Sequence, residues 1–226
     1  MSVGAILLCA GKGERLAAGV PKATAPLAGR PLFSWALSAL DRCSAIHAIV
    51  VVGPVRTLRE LAATCGAETG KVSAWVEGGK ERQHSVARGL GALPPDCTTI
   101  AVHDSARALV SVELIARVVG DALKDGAAIA AIPVEDTLKR GTLETIDATV
   151  SRAGLWRAQT PQAFRRDWLE AAHAAAGSVA TDDSGLVEAL GHRVHLTRGD
   201  ALNLKITTPD DLRLAEAWLT ARKEKV

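Results

Sequence analysis

Short runs of hydrophobic residues alternate with segments of helical period along most of the chain. The runs are Val3–Cys9, Ala48–Val52, Val72–Val76, Thr98–Val102 and Ala127–Pro133. They predict strands. Several are apolar at every position, the pattern of strands covered on both faces. In one intervening segment, Val112, Ile115, Ala116, Val119 and Leu123 share a single helical face. A last helix is predicted to open at Thr208-Pro209-Asp210-Asp211. Thr208 suits the cap, Pro209 the first helical position, and the two acids the positive end of the helix dipole. This alternation predicts an α/β fold, a three-layer and mainly parallel sheet.

Val134 to Trp156 breaks the alternation. It contains Gly141, Gly154 and many Thr, Val and Ile residues. It reads as two extended strands joined by a turn, not as a crossover helix. An excursion of this length from an α/β sheet is often an arm that packs on another subunit. The chain has no repeat, no low-complexity tract and no linker rich in Pro, Gly or Ser. Residues 1–226 are therefore expected to form one domain, with 134–156 as a protruding β-arm for dimerisation. The chain stops soon after its last helix, so no second fused catalytic domain is expected.

Composition narrows the function classes. The 226 residues are 48% hydrophobic, which excludes disorder and favours a packed globule. Lys plus Arg is 27 against 25 for Asp plus Glu, a net charge of +2. That balance makes no case for a nucleic-acid or membrane-surface partner, so phosphate binding must come from local basic clusters. Cys9, Cys43, Cys65 and Cys97 are far apart, with no C-x-x-C pair and no His at zinc spacing. They read as reduced thiols of a cytoplasmic protein with no structural metal. The apolar run Ala5–Leu8 stops at Gly11-Lys12-Gly13 and lacks a basic leader and a cleavage site, so it is a buried strand and not a signal peptide. No run approaches the about 18 apolar residues of a membrane helix.

The candidate chemistry begins after the first strand, at Ala10-Gly11-Lys12-Gly13-Glu14-Arg15-Leu16. Glycines there let a backbone approach a phosphate with its N–H groups pointing inward, and Lys12 and Arg15 add positive charge. The same glycines also suit a tight strand-to-helix turn with no ligand. Leu16 stands where a dinucleotide fingerprint needs its third glycine. Gly66 to Lys71 is one residue short of a Walker A loop and is followed by Val72, not Ser or Thr. Pro21 fixes the backbone just before Lys22, which closes a segment also carrying Lys12, Arg15 and Arg30.

The segment Ala10–Leu16 followed by Pro21-Lys22 resembles the nucleotide-binding signature of sugar-phosphate nucleotidyltransferases. Later segments narrow the resemblance to the 2-C-methyl-D-erythritol 4-phosphate cytidylyltransferase family. Glu77-Gly78-Gly79-Lys80-Glu81-Arg82-Gln83-His84-Ser85-Val86 is similar to its cytosine- and ribose-reading loop, and Val102-His103-Asp104-Ser105-Ala106-Arg107 to its substrate-side loop. Pro133–Lys139 resembles the start of its dimer arm, and Trp156–Phe164 the segment that returns to the site. Thr181-Asp182-Asp183 and Asn203–Asp211 complete an ordered set running from about Ala5 to Leu212. The chain departs from the family pattern at Cys9, Ala23, Thr24 and Ala108.

The resemblance implies a Rossmann-like nucleotidyltransferase sheet and a homodimer. It also implies attack of an acceptor phosphate oxygen on the α-phosphorus of CTP, with Mg²⁺ as cofactor. It places the catalytic Arg15, Lys22 and Lys205 around the phosphates. Ala10, Gly11, Gly13, Gly79 and Ser85 would bind the nucleotide. Asp104 would meet the hydroxyls of a sugar-alcohol phosphate, while Thr137, Arg107 and Arg152 would hold its phosphate. Thr137 and Arg152, if they lie on the arm, would come from the partner subunit. Thr160 would order the return segment. No residue is assigned as a metal ligand, because the triphosphate can supply most ligands to Mg²⁺. Asp182-Asp183 is read as a helix start beside Thr181, and His84 and His103 as structural hydrogen-bonding groups. Each residue has a plainer reading: arginines in surface ion pairs, threonines in strands, Asp104 as a cap. The ordered combination favours the functional one. Rival readings are a ribitol 5-phosphate cytidylyltransferase, a non-catalytic nucleotide sensor and a nicotinamide dehydrogenase, the last opposed by the missing third glycine.

Overall fold

The computed structural model describes residues 2–11, 21–177 and 180–223. Five parallel crossover strands of the sheet follow the expected runs: β1 (Ser2–Leu8), β4 (Ala48–Val52), β5 (Val72–Val76), β6 (Cys97–Asp104) and β7 (Ala127–Pro133). β2 (Pro26–Leu27) and β3 (Arg30–Pro31) form a small separate hairpin. β10 (Trp156–Arg165) and β11 (His195–Arg198) complete a seven-stranded sheet of order β5-β4-β1-β6-β10-β7-β11. β10 runs antiparallel to both its neighbours, and the other pairings are parallel.

The side-chain period of two divides the core between the two faces of the sheet. Ala5 and Leu7 of β1 and Ile49 and Val51 of β4 pack on one side with α1 (Leu32–Arg42), α2 (Val55–Thr64) and α4 (Val112–Asp125). Ile6, Leu8, Val50 and Val52 face the other side, against α3 (Arg82–Ala92), α5 (Arg166–Ala175) and α6 (Asp183–Ala189). This double covering explains why the strands are apolar without alternation. The expected three-layer α/β fold is therefore present. α7 (Pro209–Lys223) packs on the β2–β3 hairpin through Leu27, Ala108, Ile206, Ala215 and Leu219.

Local signals place the helix ends. Thr208 Oγ accepts from Asp211 N at 3.2 Å, and the Asp211 carboxylate accepts from Thr207 N and Thr208 N, so α7 opens where expected. Ser111 Oγ caps α4 by accepting from Leu114 N at 3.1 Å, and Gly126 closes it in the left-handed region at φ 88°. The buried face of α4 is Leu114, Ile115, Val118, Val119 and Ala122, while Ala116 and Leu123 are exposed. The stripe is thus rotated from the expected one: Leu114, Val118 and Ala122 are buried in place of Ala116 and Leu123, on the face that α4 turns to β7 and β10.

Between β7 and β10 the chain leaves the sheet as an antiparallel hairpin, β8 (Leu138–Gly141) and β9 (Ile146–Val150). This is the expected pair of extended strands in the 134–156 excursion. Almost all of it is exposed, including Leu143, Ile146 and Trp156.

Candidate active site

β1 connects to β4 on one side of the sheet, while β6 returns to its other side. A crevice therefore opens above the C-terminal ends of β1 and β6, the place where ligands bind in doubly wound sheets. A cleft of about 580 Å³ lies there. Its lining includes Leu8, Ala10 and Gly11 from the end of β1, Lys22 and Ala23, and Gly79 to Arg82 with Ser85. Asp104 to Ala106 from the end of β6, and Lys205, close it. Lys22 and Lys205, 183 positions apart, share one pocket. Ile206 N donates to Ala106 O at 2.8 Å, which carries Lys205 to the end of β6. Lys22 sits on a single 3₁₀ turn, Lys22–Thr24, entered from Pro21 at φ −54°. Arg15 and Gly13 lie outside the described residues.

The second glycine loop is held from both sides. Gly79 N donates to Ser85 Oγ at 2.9 Å, and that hydroxyl donates to Glu81 O at 3.3 Å. Arg88 Nη1 donates to the carbonyls of Glu77 and Gly78. A Cβ on Gly78 would overlap the Ala10 side chain, and one on Gly79 would overlap His84. Both glycines are therefore required by close packing, not by a left-handed φ. α3 starts with a reciprocal cap: the Glu81 side chain accepts from the His84 backbone and His84 Nδ1 accepts from Glu81 N. His84 is structural, as expected. Gly79 and Ser85 do line the cleft, but the Gly79 N–H is turned to Ser85.

Asp104 is the electrostatic centre of the wall. Its Oδ1 accepts from Arg82 Nε at 3.3 Å and its Oδ2 from Lys205 Nζ at 2.7 Å. Burial alone would raise its pKa; the Arg82 guanidinium and Lys205 ammonium outweigh that and hold the carboxyl well below the usual range. Arg82 also binds Asp183, Nη1 to Oδ2 at 2.7 Å. Arg82 was not among the residues expected to act, although it stands inside the Glu77–Val86 motif. The signal lay in tertiary partners, since neither Asp104 nor Asp183 is near it in sequence.

Behind Asp104 lies a neutral relay of hydrogen bonds. The register shift between Ala158 and Gln162 releases Thr160 from the β10 ladder. Its hydroxyl oxygen accepts from Asp104 N and pairs with His103 Nδ1, both at 3.1 Å. His103 Nε2 faces Arg107 O at 3.2 Å. A carbonyl can only accept, so Nε2 carries the proton and the Thr160 hydroxyl donates to Nδ1. Burial pushes His103 down to about 4, so the neutral ring is its working form. His103 is thus structural, as expected, and Thr160 ties the return segment to the end of β6. Burial pushes the Cys9 thiol, just past the end of β1, up to about 12.

Three acceptor-phosphate candidates lie elsewhere. The Arg107 guanidinium donates to Asn203 O at 2.7 Å and Ala158 O at 3.2 Å. It ties the return segment to the 203–206 stretch and does not line the cleft, a placement that differs from the anticipated phosphate clamp. The cause is that two backbone carbonyls at these crossings need donors. Thr137 and Arg152 are exposed on the arm and are not brought to the cleft of their own chain.

Asp182 caps α6, accepting from Gly185 N at 3.1 Å, which is the expected helix-start role. Asp183 is engaged by Arg82 and His173. Among the described residues no group of three or more His, Cys, Asp or Glu side chains converges to hold a metal.

A basic, glycine-walled cleft at the switch point of a doubly wound sheet is the arrangement of a nucleotidyltransferase. Comparison with known proteins makes the assignment particular. The family model described as IspD, 2-C-methyl-D-erythritol 4-phosphate cytidylyltransferase, matches residues 3–221. The chain belongs to this family. It is 41% identical to the 2-C-methyl-D-erythritol 4-phosphate cytidylyltransferase of Geobacillus kaustophilus, over 98% of this chain and 99% of that one. It is 43% identical to that of Pelotomaculum thermopropionicum, over 99% and 97%. Among solved structures, the Thermus thermophilus cytidylyltransferase superposes with a TM-score of 0.78 at 38% identity, covering 95% of this chain and 98% of that one. The 4-diphosphocytidyl-2C-methyl-D-erythritol synthase of Anaerococcus prevotii superposes at 0.83 with 27% identity, covering 97% and 96%.

Proposed function

We infer that this chain transfers the CMP moiety of CTP to 2-C-methyl-D-erythritol 4-phosphate, forming 4-diphosphocytidyl-2-C-methyl-D-erythritol and pyrophosphate in non-mevalonate isoprenoid biosynthesis. The observation that carries the mechanism is the convergence of Lys22, Lys205, Asp104, Ala10, Gly11 and the second glycine loop on one cleft. A phosphate oxygen of the acceptor attacks the α-phosphorus. The new P–O bond forms as the bond to the bridging oxygen of the β-phosphate breaks, and pyrophosphate leaves with the electron pair. The nucleophile is already an anion near neutral pH, so no strong base is required. The barrier is charge: two anions meet, and their unscreened repulsion in a partly dry site amounts to several kcal/mol, roughly.

Lys22 stabilises the pentacoordinate α-phosphate, Arg15 takes the departing pyrophosphate, and Lys205 neutralises the α-phosphate from the acceptor side. Ala10, Gly11, Gly13, Gly79 and Ser85 enclose the nucleotide. Asp104 accepts from the acceptor hydroxyls. Mg²⁺ bound by the triphosphate itself would supply charge neutralisation there, with no side chain of the described residues assigned to hold it. The donor set fits that arrangement, because both oxygens of Asp104 and of Asp183 already face cations or a His.

The arm extends from a single domain and completes the site of a second copy in a homodimer. Its support is the exposed apolar surface of a two-stranded hairpin, with Leu143 and Ile146 open to solvent in this single chain. Thr137 and Arg152 then reach the acceptor phosphate from the partner subunit. We assign the protein to the cytoplasm on its four free cysteines. No helix of the described residues is long and apolar enough to cross a membrane.

The test is pyrophosphate release with CTP and Mg²⁺, comparing methylerythritol phosphate with ribitol phosphate. Turnover of the first in clear preference is expected. Preference for ribitol phosphate, or no release with either, would overturn the reading.

A further inference from the structure

Asp104 faces two cations that differ in freedom. Lys205 keeps 45% of its side chain exposed, whereas Arg82 is 25% exposed and is gripped from behind by Asp183. Once Lys205 turns to the α-phosphate, Arg82 still holds the carboxylate through its Oδ1. The grip on Arg82 is buried. The Asp183 side chain is 1% exposed and that of His173 7%, and His173 Nε2 donates to Asp183 Oδ1 at 2.9 Å. The row His173–Asp183–Arg82–Asp104 thus runs from α5 through the first turns of α6 and α3 to the end of β6. Helix capping does not account for Asp183, because Asp182 performs it. Nor does stability alone, since a buried ion pair is often no better than apolar packing of equal volume.

We infer that Asp183 and His173 are positioning residues for the acceptor: they orient Arg82, whose Nε aims the Asp104 carboxylate at the acceptor hydroxyls. Neither reaches the cleft, and neither touches the nucleotide side. The inference rests on the reading of Asp104 as the hydroxyl acceptor. It implies that losing either residue weakens acceptor recognition and spares CTP. A purely structural tie among α3, α5 and α6 would disturb both substrates, because α3 also carries Ser85 and abuts the second glycine loop.

The test is steady-state kinetics with CTP and methylerythritol phosphate varied separately. Asp183→Asn and His173→Leu are expected to raise the acceptor KM about tenfold, the worth of one charge-assisted hydrogen bond, with the CTP KM changed less than about twofold. His173→Gln retains an N–H donor and is expected to restore the acceptor KM. In an Asp104→Asn background, neither His173→Leu nor Asp183→Asn should raise the acceptor KM further. Equal rises for both substrates, an undiminished effect in the Asp104→Asn background, or a wild-type acceptor KM in His173→Leu would each overturn the inference. If Asp183→Asn does not fold, the His173 pair decides alone. Wild-type protein inactive on the acceptor sinks the functional reading itself; active wild type with unsplit variants sinks only the positioning row.

Discussion

Replacing His103 with Gln should flatten the acid side of the stability curve. His103, near the end of β6, is 0% exposed, with Thr160 of β10 on Nδ1 and the Arg107 carbonyl on Nε2. Burial lowers its pKa from 6.5 to about 4, against the opposing pull of the Asp104 charge. The unfolded chain therefore takes up a proton near 6.5 that the folded protein refuses until about 4. The unfolded state binds more protons in this window, so stability is whole above it and falls as pH drops through it. Between about pH 8 and about pH 5 the linkage amounts to about 2 kcal/mol, or roughly 4–8 °C in Tm for a chain of this size. Asp104 stays ionised throughout and adds nothing there. Gln can donate to the Arg107 carbonyl and accept from Thr160, yet it does not titrate. Thermal unfolding of both proteins across this range should show the wild type losing about 2 kcal/mol more than His103→Gln. Parallel curves would mean that the imidazole is protonated in the native state or exposed, and the reasoning would fail.

Lys22→Ala and Lys205→Ala should each lower kcat about 10²-fold or more through loss of a transition-state charge contact, and Arg15→Ala should do the same. Wild-type kcat in rapid-quench or steady-state assays would remove the residue from the chemistry. If the arm completes a neighbour's site, mixed and re-equilibrated Lys22→Ala and Arg152→Ala dimers should recover about a quarter of wild-type activity, because half of the dimers then carry one intact site. No recovery, or a fully active monomer in sedimentation, would refute the shared site.

β4, β5 and β7 have the ends foreseen from their apolar runs, because a strand buried on both faces must be apolar at consecutive positions. The arm was legible as a run of extended residues between glycines. β10 was not, since Gln159, Thr160, Pro161 and Gln162 interrupt its apolar pattern and only pairing with β6 and β7 makes it a strand. The motifs brought Lys22, Lys205, Asp104, Gly79 and Ser85 to one cleft, but they did not reveal what each polar atom would face. Arg107 turned to two carbonyls, and Arg82 emerged between two carboxylates.

By itself the sequence determined the layers, the starts of α6 and α7 and the second glycine loop beside the cleft, because hydrophobic period, capping and steric demand for glycine act over a few neighbouring residues. Tertiary structure alone decided the reversed strand, the neutral state of His103 and the row from His173 to Asp104. Those depend on which distant groups the crossovers bring within hydrogen-bond reach and how far they exclude water, and neither is a property of any local stretch of chain.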